Sequence, residues 1–217
     1  MAGPDSTILV AAGTNGAGKS SILQPFIESA GAAYFNPDVY AQSLVSLGMP
    51  LGDANALAWA KGYGHLCKAV EGGESFAFET TLGGHSIAFE LMRALAFDRR
   101  VTILYVGLDS VELHIRRVRE RVARGGHDIP EDKIRQRYDA SRKNLLSFIG
   151  TAATIRVWDN SVQTADGSPA RAEEVFGIAN RKLSMPRGVD VAAVPAWVRP
   201  LLAQALTVSF RAKRGIS

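Results

Sequence analysis

Short, mainly apolar runs fall at 8–12, 32–35, 75–79, 101–106 and 154–158, separated by longer stretches that mix polar and apolar positions at helical spacing. A short apolar run bounded by turn signals predicts a strand buried on both faces. The intervening stretches predict helices. The first opens at Ser20, carries Pro25 within its opening turns and stops at Gly31. The next covers 38–47 and is closed by Gly48-Met49-Pro50; a longer one covers 53–70, interrupted by Gly62 and Gly64 and stopped by Gly72-Gly73; a fourth covers 86–96. Asp109, with Glu112 three residues on, predicts a capping box that starts a helix reaching about residue 124. Gly125-Gly126 breaks it, and Pro130-Glu131-Asp132 suits the first turn of another that runs to about 148. Beyond Pro169 the pattern weakens: 172–182 predicts an outer helix, and 194–205, with Trp197, Leu201 and Leu202, an apolar-faced one.

Strands alternating with helices predict an α/β fold: a mostly parallel sheet of about five strands with helices on both faces, hence three layers. Ligands of such sheets collect at the carboxyl ends of the strands. The segments 13–20, 36–38, 79–81 and Asp159-Asn160 should therefore converge on one crevice.

At 217 residues the chain suits a single domain over 1–217, with a helical lid at about 111–142 and a C-terminal helical extension at about 169–217. Charged residues make up 21% and the net charge is +4, a modest basic excess that suits a phosphate-bearing ligand. Cys67 is alone, which excludes an intramolecular disulfide and points to a reducing cytoplasm; its helical setting reads as a buried structural thiol. The N-terminal residues carry no signal-peptide pattern, and no apolar stretch nears the length of about 20 residues that a bilayer requires, so no membrane partner is expected.

Chemistry enters directly after the first run. Gly13-Thr14-Asn15-Gly16-Ala17-Gly18-Lys19-Ser20 has the phosphate-binding loop pattern, G-x-x-x-x-G-K-[ST], set between a predicted strand and a predicted helix. Glycines let backbone N–H groups turn inward around phosphate oxygens, and the helix beyond, through Ser21, presents its positive end to the anion. Lys19 reaches the β- and γ-phosphates and Ser20 supplies a hydroxyl to Mg²⁺. Phosphoryl transfer further needs cations over the transferred group and a residue to position the acceptor. Arg116, Arg117, Arg119, Arg121, Arg124, Arg135, Arg137 and Arg142 crowd the two helices around the Gly-Gly break; Arg117, Arg121 and Arg124 lie close to one stripe.

Asp38 and Glu79 each follow an apolar strand that ends in the crevice. There a carboxylate can accept a proton, order a metal-bound water or hold substrate. Asp38 could instead cap the helix that follows, whereas Glu79, closing Phe76-Ala77-Phe78, requires a partner. Thr80 and Thr81 can bond substrate or cap a turn. His65 and His114 on predicted helices, and His85 and His127 beside Gly-Gly turns, lack metal-ligand spacing, so surface or loop roles are expected for all four.

Taken together, residues 12–20, Asn36-Pro37-Asp38, Phe78-Glu79-Thr80-Thr81-Leu82, the lid sequence 117–130 ending Gly125-Gly126-His127-Asp128-Ile129-Pro130, and Asp159-Asn160-Ser161 resemble the zeta-toxin family of phosphotransferases. The likeness covers about 6–161 and is nearer to the widespread chromosomal branch than to the plasmid toxins. It implies a P-loop kinase core, ATP with Mg²⁺ as cofactors, a small-molecule phosphate acceptor such as UDP-N-acetylglucosamine, and a small helical antitoxin as partner. It also implies Lys19 and Ser20 on the ATP phosphates and metal, Asp38 as catalytic base, and Glu79 as a substrate-side acid near the metal. Two lid arginines are implied on the γ-phosphate, with Arg124 and Arg137 preferred and Arg121 in reserve.

Other classes fit parts of the pattern. A nucleotide-driven switch is opposed by the absence of an N-K-x-D guanine-reading motif and of an acid-rich second strand motif. A nucleic-acid end kinase or binder could use the arginine-rich helices as a phosphate track, but few aromatics interleave those arginines to stack on bases.

Overall fold

Strand β1 (Thr7–Ala12), buried at every position after the first, lies inside the sheet, as a segment with no polar face must. The computed structural model describes residues 6–29, 34–165 and 167–215; the expected stop at Gly31, Ala32-Ala33 and the N-terminal residues 1–5 lie outside them. β3 (Phe76–Thr80) and β4 (Arg100–Gly107) flank β1, with β2 (Tyr34–Phe35) outside β3 and β5 (Thr154–Asp159) outside β4, all parallel. Their carboxyl ends share one edge of the sheet, which gathers the four predicted segments.

Alternation along the strands feeds two cores. Ile8, Val10, Phe76, Phe78, Ile103, Tyr105, Ile155 and Val157 point to the larger one, with side chains from α3 (Leu51–Gly72), α4 (His85–Ala96), α6 (Glu131–Phe148) and α7 (Arg199–Lys213). Leu9, Ala11, Ala77, Leu104, Val106 and Trp158 point the other way, against α1 (Lys19–Ser29). α2 (Pro37–Ser46) packs on α3 through Ala41, Ala54 and Ala58, and α5 (Val111–Ala123) with the start of α6 forms a small core of Ile115, Val118, Ile129 and Ile134. Gly62 does not break α3, because a Cβ there would stand 2.7 Å from the Phe35 ring: the glycine serves close approach. Cys67 on α3 is half-buried. Among the described residues no helix is long and apolar enough to cross a membrane.

Three expectations need correction. Among the described residues the sheet has seven strands, in the order β2-β3-β1-β4-β5-β6-β7, because the segment expected as a helix at 172–182 is β6 (Glu173–Ala179) running antiparallel into β7 (Lys182–Ser184). Val175, Phe176 and Ile178 suit a pleated buried surface, and Asn180 and Arg181, at φ 50° and 58°, make the two-residue turn that right-twisted strands favour. The C-terminal segment is thus part sheet, not wholly helical. α7 begins at Arg199 instead of 194, with Pro200 in its first turn where the missing N–H costs nothing. Ser110, not Asp109, caps α5, its hydroxyl accepting from the Leu113 N–H. The Asp109 backbone instead receives the Tyr138 hydroxyl and donates to Ser161.

The C-terminal residues bear on the crevice through Trp197. Its ring lies over Gly107 at the end of β4, where a Cβ would be 2.4 Å from the indole, and its Nε1 donates to Asp159 at 2.8 Å. Gly107→Ala should therefore destabilise by about 1–3 kcal/mol through overpacking, read by urea unfolding followed by tryptophan fluorescence. An unchanged midpoint would mean that Trp197 does not seal this edge of the sheet.

Candidate active site

The loop between β1 and α1 turns through three glycines at positive φ: Gly13 at 138°, Gly16 at 83° and Gly18 at 88°. Side chains are also excluded by contact. A Cβ on Gly13 would lie 2.1 Å from the Val106 carbonyl oxygen, on Gly16 2.7 Å from that of His114, and on Gly18 2.7 Å from Nδ2 of Asn160. The loop is held from behind. Asn160 donates to the Ala17 carbonyl at 2.9 Å, Ala17 N–H donates to the Thr14 carbonyl, and Thr14 and Ala17 are buried. Gly13, Thr14 and Ala17 therefore shape the cradle, while Asn15, Gly16, Gly18, Lys19, Ser20 and Ser21 line the cavity it opens on.

His114 corrects the expectation of a surface role. It is buried on α5, with Nδ1 2.8 Å from the Asn15 carbonyl oxygen, so Nδ1 carries the hydrogen and donates it. Burial first, and the nearby positive charge of Lys19 among lesser causes, push its pKa down to about 3, leaving the ring neutral. Only the folded packing of α5 against the loop reveals this; a histidine at helical spacing gives no such signal.

Glu79 meets the requirement for a partner several times over. Its buried Oε2 accepts from Ser20 Oγ at 2.8 Å, Tyr34 Oη at 3.0 Å and Asn36 Nδ2 at 3.1 Å, and Oε1 lies 3.4 Å from Lys19 Nζ. Burial, then the Glu79 charge, raise the Tyr34 phenol, which stays protonated as the donor. The Ser20 hydroxyl and the Glu79 carboxylate are hard oxygen donors of the kind Mg²⁺ takes beside phosphates. Among the described residues no three His, Cys, Asp or Glu side chains gather into a metal cage. Mg²⁺ held mainly by phosphate and water needs none, so the residues present fit it.

Two cavities meet here. One, of about 680 Å³, contains the loop together with Arg117, Arg121 and Arg124; the other, of about 540 Å³, lies between β3, α3 and α6 and contains Trp59, Tyr63, Thr80, Thr81 and Arg137. Among the described residues, Asn15, Asp38, Glu79 and His127 line both. Asp38 is not the cap of α2, because the Asn36 side chain takes the N–H groups of Asp38 and Val39. Its carboxylate is 38% exposed and has His127 Nε2 at 3.9 Å from Oδ2. Gln42 Nε2 lies 3.3 Å from the other ring nitrogen of His127; as a donor it leaves the hydrogen on Nε2, toward Asp38.

The arginines of α5, α6 and the turn between them divide. Arg121 lines the loop cavity and donates to the His127 carbonyl at 3.1 Å, while Arg124, exposed, donates to the Glu120 carbonyl of its own helix. Arg137 lines the other cavity and donates to Asn15 Oδ1 at 2.9 Å. The structure thus sets Arg124 and Arg137 on different cavities, joined through the loop. Arg117, absent from the expected site, is buried on the loop cavity with no hydrogen-bond partner for its guanidinium. The Thr80 and Thr81 hydroxyls accept from the Leu82 and Gly83 N–H groups, so both hold the turn in which Leu82 sits at φ 54°. Ser141 and Asn144 of α6 bond the Thr81 and Leu82 carbonyls of the same turn.

No protein-family model matches the chain. An uncharacterized protein of Haemophilus influenzae is 34% identical over 126 residues, which are 58% of this chain and 88% of that protein. Among solved structures, a chain of the AvrRxo1-ORF1:AvrRxo1-ORF2 complex with sulphate ions superposes with a TM-score of 0.61 at 16% identity, over 98% of this chain and 77% of that one. A chain of the AvrRxo1-ORF1:-ORF2 structure with ATP gives a TM-score of 0.60 at 18% identity over 83% of this chain, which spans 60% of that longer one. Likeness at this identity is likeness of fold: the three-layer α/β arrangement around a mostly parallel sheet that the sequence pattern predicts.

The buried neutral His114 makes stability depend on acid. Its folded pKa lies below the unfolded value, so the unfolded chain takes up a proton first, and stability present above about pH 6.5 is lost as pH falls toward 3. Between pH 6.5 and 4.5 the chain should lose about 2 kcal/mol more than its His114→Gln variant, measured by urea titration at each pH. Parallel losses would refute a neutral His114.

Proposed function

We propose that this chain, which belongs to the same family as the Haemophilus influenzae protein, is a kinase that transfers the terminal phosphoryl group of ATP to a hydroxyl of a small molecule. The observation that carries the reading is the position of Asp38: a carboxylate freed from helix capping, on the wall common to a phosphate-loop cavity and a second cavity. A switch module needs only the first cavity, so the second favours a transferase. When bound, ATP brings the phosphoryl group and Mg²⁺ neutralises charge on its oxygens.

The chain's own groups then divide the work. Backbone N–H groups of Gly16, Gly18 and Lys19 cradle phosphate oxygens, and Lys19 adds a cation. Glu79 holds the Lys19 ammonium and the Ser20 hydroxyl in one place, which fixes both before a ligand arrives. Asp38 accepts the proton of the acceptor hydroxyl, with His127 Nε2 3.9 Å from its Oδ2. Arg121 and Arg137, one on each cavity, supply positive charge on either side of the shared wall. α5 and α6 form a lid whose closure excludes water from the transfer.

For the acceptor, Trp59 and Tyr63 stack at 5.2 Å with 8° between their planes, beside Asn55, Ser86 and Gln136. An aromatic surface edged by hydrogen-bonding side chains suits a sugar face. UDP-N-acetylglucosamine is the leading candidate within this proposal, on the family resemblance. A partner protein in the antitoxin role belongs to the same proposal, supported by the complexes in which the AvrRxo1-ORF1 structures were determined.

Incubating the protein with γ-labelled ATP and, in turn, nucleotide sugars, free sugars and oligonucleotides tests the proposal. Lys19→Ala should abolish transfer, and Asp38→Asn should retain ATP binding while transfer drops by about 100-fold or more. Full transfer by the Asp38 variant removes it from the base role, and label on oligonucleotides alone moves the acceptor to nucleic acid.

A further inference from the structure

Arg117 stands apart from the other arginines around the site. It is 7% exposed, and Nε, Nη1 and Nη2 are all buried with no hydrogen-bond partner. The other unpartnered atoms of this kind among the described residues belong to Arg121 and Arg142, and each of those guanidinium groups bonds a carbonyl through another nitrogen. Two of the acids that act on its charge are engaged elsewhere: Glu120 lies 3.8 Å from Arg116, and Asp159 accepts from Trp197 and from Ser161. A guanidinium removed from water without compensating acceptors is strongly disfavoured. The helix nevertheless holds it there, because Val118 and Ile115 on the same turn are locked into the lid core and His114 into the loop.

Its place in the cavity is specific. Arg117 lines the loop cavity together with Gly16, Gly18 and Asn160, and it does not line the acceptor cavity. Its neighbours along α5, His114 and Val118, are the residues that a Cβ on Gly16 would strike. The group therefore stands beside the glycine turn and outside the second cavity.

We propose that Arg117 is the anchor for the α- and β-phosphate oxygens of the nucleotide, the part that stays on the enzyme as ADP, and takes no share in holding the transferred group. This rests on the nucleotide reading of the loop cavity. A planar guanidinium presents its N–H groups in a fork that two phosphate oxygens fill at once, satisfying donors the fold leaves bare. Burial, followed by the neighbouring charge of Arg116, lowers its pKa, which accords with a cation short of an anion.

The test is calorimetric titration of ADP and ATP, each with Mg²⁺, into the full chain, Arg117→Met and Arg117→Lys. Methionine keeps much of the aliphatic packing. Arg117→Met should weaken ADP and ATP by the same factor, about 10- to 100-fold, with partial recovery in Arg117→Lys. The ligand-free Arg117→Met protein should melt no lower than the parent, since an uncompensated charge has been removed. Unchanged ADP affinity in Arg117→Met, or a loss confined to ATP, overturns the assignment while leaving the kinase reading in place. A parent chain that binds neither nucleotide overturns the kinase reading itself, and the assignment with it.

Discussion

A single buried carboxylate sets the geometry of this crevice. Glu79 follows the buried Phe76-Ala77-Phe78 in β3, and in that position its charge has to be answered from several directions at once. The answers come from three elements: Lys19 and Ser20 at the start of α1, Tyr34 on β2, and Asn36 at the entry to α2. Asn36 is the consequential one, because it is used at both ends. Its amide nitrogen donates to Glu79 while its oxygen caps α2. The orientation of α2, and with it the direction in which Asp38 projects, follows from the demand of a residue on another strand.

The phosphate loop is constrained independently, from its rear. Asn160 after β5 and His114 on α5 take carbonyls of Ala17 and Asn15, and the Val106 carbonyl leaves no room for a side chain at Gly13. These contacts join the loop to the strand ends on one side of β1, while Glu79 joins it to those on the other. A loop fixed from both sides can present N–H groups without rearranging, which is the electrostatic condition that phosphoryl transfer places on a protein.

Much of this was written in local pattern, and what was not has identifiable causes. The central strands have no polar face, so their apolar runs admit one reading; the loop glycines precede Lys19-Ser20 at fixed offsets, so their role is equally legible. The β6–β7 hairpin escaped because its turn is Asn180-Arg181, which lacks the glycine that marks such turns, and its apolar residues fit a helix face as readily as a strand. Asp109 and Ser110 are both able caps, and the Ser110 hydroxyl accepting from the Leu113 N–H decides for the second. His114 and Arg117 are set by burial, a tertiary property that a basic helix of mixed spacing conceals. Arg117 shares its stripe with Arg121 and Arg124, yet one is sealed in the cavity wall and the last is exposed.

The two helices after β4 differ in how they grip the core. α6 reaches the β3 exit through Ser141 and Asn144 and the loop through Arg137, so it is tied to both cavities. α5 reaches Asp38 through a longer chain: Arg121 holds the His127 carbonyl, and the His127 ring lies between Gln42 and Asp38. Gly126 makes that possible, since a Cβ there would stand 2.7 Å from the Arg121 side chain and push the turn away. The same turn that separates the helices therefore brings an imidazole to the carboxylate. A glycine pair whose sequence meaning is a helix break has, in the folded chain, the further effect of linking a cation of the loop cavity to the carboxylate that lines both cavities.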